Sequence, residues 1–304
     1  MTQNLDTIER KLKALKTQDN GLEAIALADA DDLIFSEHYV GTISRDIYSH
    51  TKSFVAMAIG VAIEEGQLDL SDRLCTFFPE YAAQSHDPAI DQVTLKDLLT
   101  MTGGFNRIYL QRNQRRAGVG MPDYIQYMFS QKLDSAPGST FFYTSSQTHL
   151  AGCMLARAVK QTLRLYTYDK LFAPMQIGYT IWDFDSSGEA FSGSGLVISI
   201  EDQIKLGQLC LAGGIYKGRR LVPSSWVEAA TTKKVVTGKH GRWDSGYGYQ
   251  FWTADFPSAY CARGAYGQNT YILPSEQLTI AIQTSENGSN LNEIERGLTE
   301  AIFG

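Results

Sequence analysis

The chain has 304 residues, 27 Lys+Arg against 33 Asp+Glu, and a formal net charge of -6. With 43% hydrophobic and 20% charged residues it has ordinary globular composition and enough length for a substantial core. The acidic balance argues against nucleic-acid binding, which needs a basic footprint.

The N-terminus reads as an amphipathic helix, with Leu5, Ile8, Leu12 and Leu15 on one face. Two strands follow, around Leu22–Ala28 and Leu33–Tyr39, joined by a turn at Asp29–Asp32. A helix from about His50 to Glu65 contains the longest apolar run, Phe54–Ile63, and stops at Gly66. That run is far short of the roughly 20 residues of a membrane span. The middle of the chain reads as helical, with candidates at Thr94–Met101, Pro122–Ser130 and Gln147–Lys160, the second with proline in its first turn. A small, Gly-rich stretch, SGSGLVIS, precedes a helix over Glu201–Leu211. Candidate strands then fall at Gly248–Ala254, Ser258–Arg263, Asn269–Leu273 and Leu278–Thr284. A last amphipathic helix carries Leu291, Ile294, Leu298 and Ile302. The order is that of an α+β fold: terminal helices on one face of an antiparallel sheet, with a helical insertion between its strands.

Cys75, Cys153, Cys210 and Cys261 lie far apart, with no CxxC, and the histidines form no HExxH. No metal site is expected, and the cysteines read as buried thiols. Neither GxGxxG nor a P-loop motif occurs, so no cofactor is expected. The charged start lacks an apolar signal region, which gives a cytoplasmic expectation.

The informative residues begin at Ser49. Ser49-His50-Thr51-Lys52 is an S-x-x-K motif at the entry to the buried helix. A hydroxyl there meets free backbone N–H groups and the helix dipole, and Lys52 follows one turn on. A simple N-cap accounts for Ser49 but not for Lys52. A lysine opening an apolar helix is costly unless paired or neutral, and a neutral amine can take the serine's proton. Tyr143-Thr144-Ser145, ahead of a helix, supplies a tyrosine able to relay protons and a further hydroxyl. Cys261-Ala262-Arg263-Gly264-Ala265-Tyr266 reads as a strand whose Gly264 lets another backbone approach.

Together these pieces resemble the serine β-lactamase and penicillin-binding-protein-like superfamily. Its signatures run in the same order: S-x-x-K, then Y-x-N or Y-x-S, then a strand motif such as K-T-G or H-x-G. VTLKDLLTMTGGF, PGSTFFYTSS, Ser194–Gly214 and GGIYKGRRLVPSSWVEAATT also look like family segments, so the resemblance covers roughly residues 22–304. It implies one catalytic domain over 1–304: a five-stranded antiparallel sheet with flanking helices (about 1–66 and 188–304) and an all-helical lobe (about 67–187). It implies Ser49 as acylated nucleophile, Lys52 as its activator and Tyr143 as proton donor to the leaving group. The N–H groups of Ser49 and Ala265 would form the oxyanion hole, and Ser145, Gly264 and Tyr266 would contact substrate.

Two departures stand out. Ser145 replaces the commoner asparagine, as in esterase-like and aminohexanoate-oligomer-hydrolase-like members. Ala262 replaces the lysine or histidine of the strand motif, and Arg263 cannot stand in, because adjacent strand residues face opposite ways. This counts against β-lactam and D-Ala-D-Ala substrates and favours neutral or cationic acyl groups. The QRNQRR stretch, with Arg112, Arg115 and Arg116, opposes that preference if it reaches the site; its blander reading is a solvated basic face. The leading expectation is a metal-independent serine hydrolase acting on a small ester or amide. The alternatives are a D,D-peptidase or β-lactamase, or a non-catalytic binding protein on the same scaffold. The sequence does not give the oligomeric state.

Overall fold

The computed structural model describes residues 5–85, 87–178, 180–239 and 241–304. The main sheet contains, in chain order, β1 (Leu22–Ala28), β2 (Leu33–His38), β3 (Val235–Val236), β4 (Gly246–Tyr247), β5 (Trp252–Thr253), β6 (Tyr260–Gly264), β7 (Gln268–Leu273) and β8 (Leu278–Thr284). Their spatial order is β2-β1-β8-β7-β6-β5-β4-β3, antiparallel throughout. The five-stranded expectation is therefore corrected: the sheet has eight strands. The five long ones form a contiguous block, and three two-residue strands extend it at one edge. Strands that short carry no readable period-two alternation.

The longest helices among the described residues are α1 (Leu5–Lys13), α2 (Thr51–Glu64), α3 (Ser145–Val159), α4 (Ile200–Leu211) and α5 (Leu291–Phe303). β1 shows how one strand serves two layers, since its alternate side chains face opposite ways. Ile25 and Leu27 pack with Ile8 and Leu12 of α1 and Ile294 and Leu298 of α5. Ala24, Ala26 and Ala28 face Ile200 and Ile204 of α4. Small residues let α4 lie close to the sheet: a Cβ on its Gly207 would fall 2.0 Å from Thr279 Oγ1 on β8.

Every residue of α2 from Thr51 to Ala62 is buried. It lies between the β6 side of the sheet and the helical stretch that includes α3. Trp226 covers Gly60 and donates its ring N–H to the Ala56 carbonyl at 2.9 Å. In the helical stretch, a capping box at Thr94 starts Leu95–Leu99, and Asp123 caps Tyr124–Phe129. Pro122 thus precedes the cap and lies outside the first turn expected for it.

The expected strand over 248–254 shrinks to Trp252–Thr253. Gln250 takes a left-handed backbone (φ +64°) and turns inward. Its amide donates to the Leu99 carbonyl at 2.8 Å, and its oxygen accepts from Thr148 at 2.7 Å. A small second sheet, absent from the sequence reading, pairs Leu196–Ile198 with Arg45–Asp46 and Ile181–Trp182. Ile47 N–H extends it by donating to the Leu196 carbonyl at 2.9 Å. This pairing brings residues 48–50 alongside residues 193–194. No described helix is long and apolar enough to cross a membrane.

Candidate active site

Ser49 occupies a single 3-10 turn, Tyr48–His50, that leads directly into α2. Tyr48 has φ +48°, a conformation a bulky residue adopts only when its surroundings impose it. Three contacts impose it here. The Tyr48 N–H donates to the Asp46 carboxylate at 2.7 Å. His50, fully buried, bonds Thr270 Oγ1 on β7 at 2.8 Å, and burial lowers its pKa to about 3, so the ring is neutral. The Ile47 carbonyl sits where a Cβ on Gly264 would be, 2.1 Å from that position. The missing side chain of Gly264 thus serves the approach of the Ser49 turn to β6.

Lys52 is 1% exposed. Its Nζ lies 2.9 Å from Ser49 Oγ, 3.0 Å from Ser145 Oγ and 2.5 Å from the Gly193 carbonyl. None of these partners is anionic. Burial, aided by the positive charge of Arg115, pushes the amine well below its ordinary pKa. A neutral amine can then accept the Ser49 proton at the observed distance.

Tyr143 is half-buried in an aromatic cage, its ring centre 5.1 Å from that of Trp252 and 5.9 Å from that of Tyr247. Its hydroxyl is hydrogen-bonded to Ser49, and desolvation raises its pKa to about 12. The two shifts run in opposite senses: burial favours the protonated phenol of Tyr143 and the neutral amine of Lys52. Ser145 opens α3 behind the cap residue Thr144. Trp182, Trp243 and Tyr260 are buried in the core.

A cavity of about 860 Å³ opens on this cluster. Ser49, Ser145, Ala265 and Tyr266 line one side, and Arg112, Arg115 and Arg116 line another. Tyr266, half exposed with φ +61°, meets Tyr48 edge-on at 5.2 Å. Ala262 is fully buried in the core beside α2, and Arg263 on the opposite face pairs with Glu295 of α5 at 2.9 Å. No cation therefore comes from the strand motif. The cations come from the short helix Arg112–Arg116, so the QRNQRR stretch is a cavity wall and not only a solvated face.

The sequence reading missed Gly193, Tyr48 and Glu286. Gly193 had a signal in the small-residue run Ser192–Gly195, because glycine lets a neighbouring backbone approach closely. A Cβ at Gly193 would fall 2.6 Å from the Ser145 carbonyl oxygen. Glu286, on the cavity wall, sits in a segment with no sequence signal.

The antiparallel sheet, its flanking helices and the helical stretch between its strands define a β-lactamase/transpeptidase-like α+β fold. The Beta-lactamase family profile matches residues 45–302, and the chain belongs to that family. The 6-aminohexanoate-dimer hydrolase of Paenarthrobacter ureafaciens is 25% identical over 269 residues, 79% of this chain and 67% of that one. Protein flp of Staphylococcus aureus (strain MW2) is 25% identical over 166 residues, 52% of this chain; the match spans only 33% of flp. The structure of a family VIII carboxylesterase superposes with a TM-score of 0.77 at 15% identity, covering 98% of this chain and 96% of that one.

Proposed function

We propose that this chain is a serine hydrolase that cleaves a small ester or amide through an acyl-enzyme on Ser49. The observation that carries the reading is Lys52, buried, held by two hydroxyls and a carbonyl beside Ser49, with burial lowering its affinity for a proton. Lys52 takes the Ser49 proton as Oγ attacks the acyl carbon. The backbone N–H groups of Ser49 and Ala265 stabilise the oxyanion. Tyr143 passes a proton to the leaving alcohol or amine and is re-protonated from Lys52. Water then attacks the acyl-enzyme with the same base. The names of the related 6-aminohexanoate-dimer hydrolase and carboxylesterase support the bond classes chosen, amide and ester respectively.

The test is labelling with a fluorophosphonate alongside hydrolysis of a short-chain nitrophenyl ester. The expected adduct maps to the peptide containing Ser49, and both signals vanish in Ser49→Ala. An adduct on another serine overturns the assignment, and no labelling at any pH supports a non-catalytic protein.

A further inference from the structure

Three arginines line the cavity that opens on Ser49. Arg112, Arg115 and Arg116 come from a five-residue helix, with Arg112 and Arg116 at i,i+4 and therefore on the same face. Like charges at that spacing repel in the free protein. Two of the three are already occupied. Arg115 is 8% exposed, donates to the Leu110 carbonyl at 2.8 Å, and pairs with Asp183 at 3.3 Å. Arg112 donates to the Tyr48 hydroxyl at 3.0 Å and lies 3.4 Å from Asp46. Its Nε is buried without a partner among the described residues. Arg116 is exposed on the cavity wall with no ion pair among the described residues. The one carboxylate residue among the described residues lining the cavity is Glu286, which adds to burial in raising the pKa of the Tyr48 hydroxyl.

We infer that the substrate carries a carboxylate, anchored by Arg116 with Arg112 behind it, on the helical-lobe side of the cleft. The inference rests on the serine-hydrolase reading and deepens it. It reverses the preference drawn from Ala262 alone, because the cation absent from the strand is supplied from the short helix Arg112–Arg116. A guanidinium fork suits a carboxylate geometrically, and a cleft between two walls screens the pair less than open surface does. An ammonium in the same place would meet Arg116, the one of the three guanidinium groups with no ion pair among the described residues, whereas Asp46 and Asp183 already offset Arg112 and Arg115.

The experiment compares three nitrophenyl esters of matched length: the monoester of adipic acid, the hexanoate, and an ω-trimethylammonio hexanoate. Each ratio of kcat/KM is taken within one enzyme, so a general change in activity cancels. In the wild type the adipate-to-hexanoate ratio exceeds one and falls with added salt. In Arg116→Ala that ratio drops roughly tenfold, and Arg116→Glu moves the preference to the cationic ester. Arg219→Ala, an exposed arginine outside the cavity, leaves the ratio unchanged and controls for net charge. A wild-type ratio at or below one, with the hexanoate turned over through Ser49, overturns the carboxylate inference and leaves the hydrolase reading intact. A ratio that is insensitive to Arg116→Ala and Arg116→Glu also overturns it. No turnover of any ester together with no Ser49 adduct overturns both.

Discussion

The guanidinium carbon of Arg115 lies 3.6 Å from the centre of the Phe191 ring. The same side chain reaches Ser194 Oγ at 3.4 Å. Arg115 thus grips both ends of the short turn whose Gly193 carbonyl holds Lys52. Its positive charge also lowers that lysine's affinity for a proton. On the proposed mechanism it is a positioning residue for Lys52. Arg115→Met should lower kcat by about 10- to 100-fold and move the acidic limb of the pH profile upward, since Lys52 regains affinity for its proton. Arg115→Lys should restore the position of the limb in part. A profile unmoved in Arg115→Met would leave Arg115 with packing alone.

Lys52→Met should abolish turnover and stabilise the fold. Burial disfavours the charged amine in the folded state, while the unfolded chain protonates it freely. Between the lowered folded pKa and the ordinary value of 10.5, the unfolded state binds more protons, so Lys52 makes stability rise with pH. Methionine removes that dependence and adds about 0.5–2 kcal/mol at neutral pH. Paired urea melts at pH 7 and pH 9 check both the gain and its shrinkage toward alkaline pH. A destabilised variant would count against a neutral buried amine.

Tyr143→Phe separates proton donation from nucleophile activation. A nitrophenolate leaves without help, whereas an alkoxide or an amine needs a proton. The loss in kcat should be about tenfold or less on a nitrophenyl ester and on the order of 10²–10⁴ on an alkyl ester or amide. Equal losses on both would assign Tyr143 to another step. With its pKa at about 12, Tyr143 should impose no alkaline fall in rate below about pH 11.

Gly193→Ala probes the carbonyl contact without altering a reacting group. The added methyl would fall 2.6 Å from the Ser145 carbonyl oxygen and from its Cβ, so the turn must shift. Lys52 then loses its carbonyl partner. A fall in kcat of about 10²-fold with little change in KM is expected. Wild-type kcat in this variant would show that the contact is incidental.

The sequence by itself determined the long elements and the chemistry-bearing triplets. Phe54–Ile63 is apolar all round, so its helix had to be buried, and Ser49 and Lys52 are one turn apart whatever surrounds them. β1 and β8 were legible because their residues suit a buried strand over seven positions each. Tertiary structure alone decided the rest. The three short strands follow from pairing between segments, not from their own pattern. Gly193 meets Lys52 across 141 positions, through a small sheet of two- and three-residue strands that no periodicity announces. The arginine helix has only five residues, too few for an amphipathic signal, so its place on the cavity wall depends on contacts with Asp46, Asp183 and Phe191. Local pattern fixes which face of an element is buried; which distant group waits on that face is set by how the elements pack.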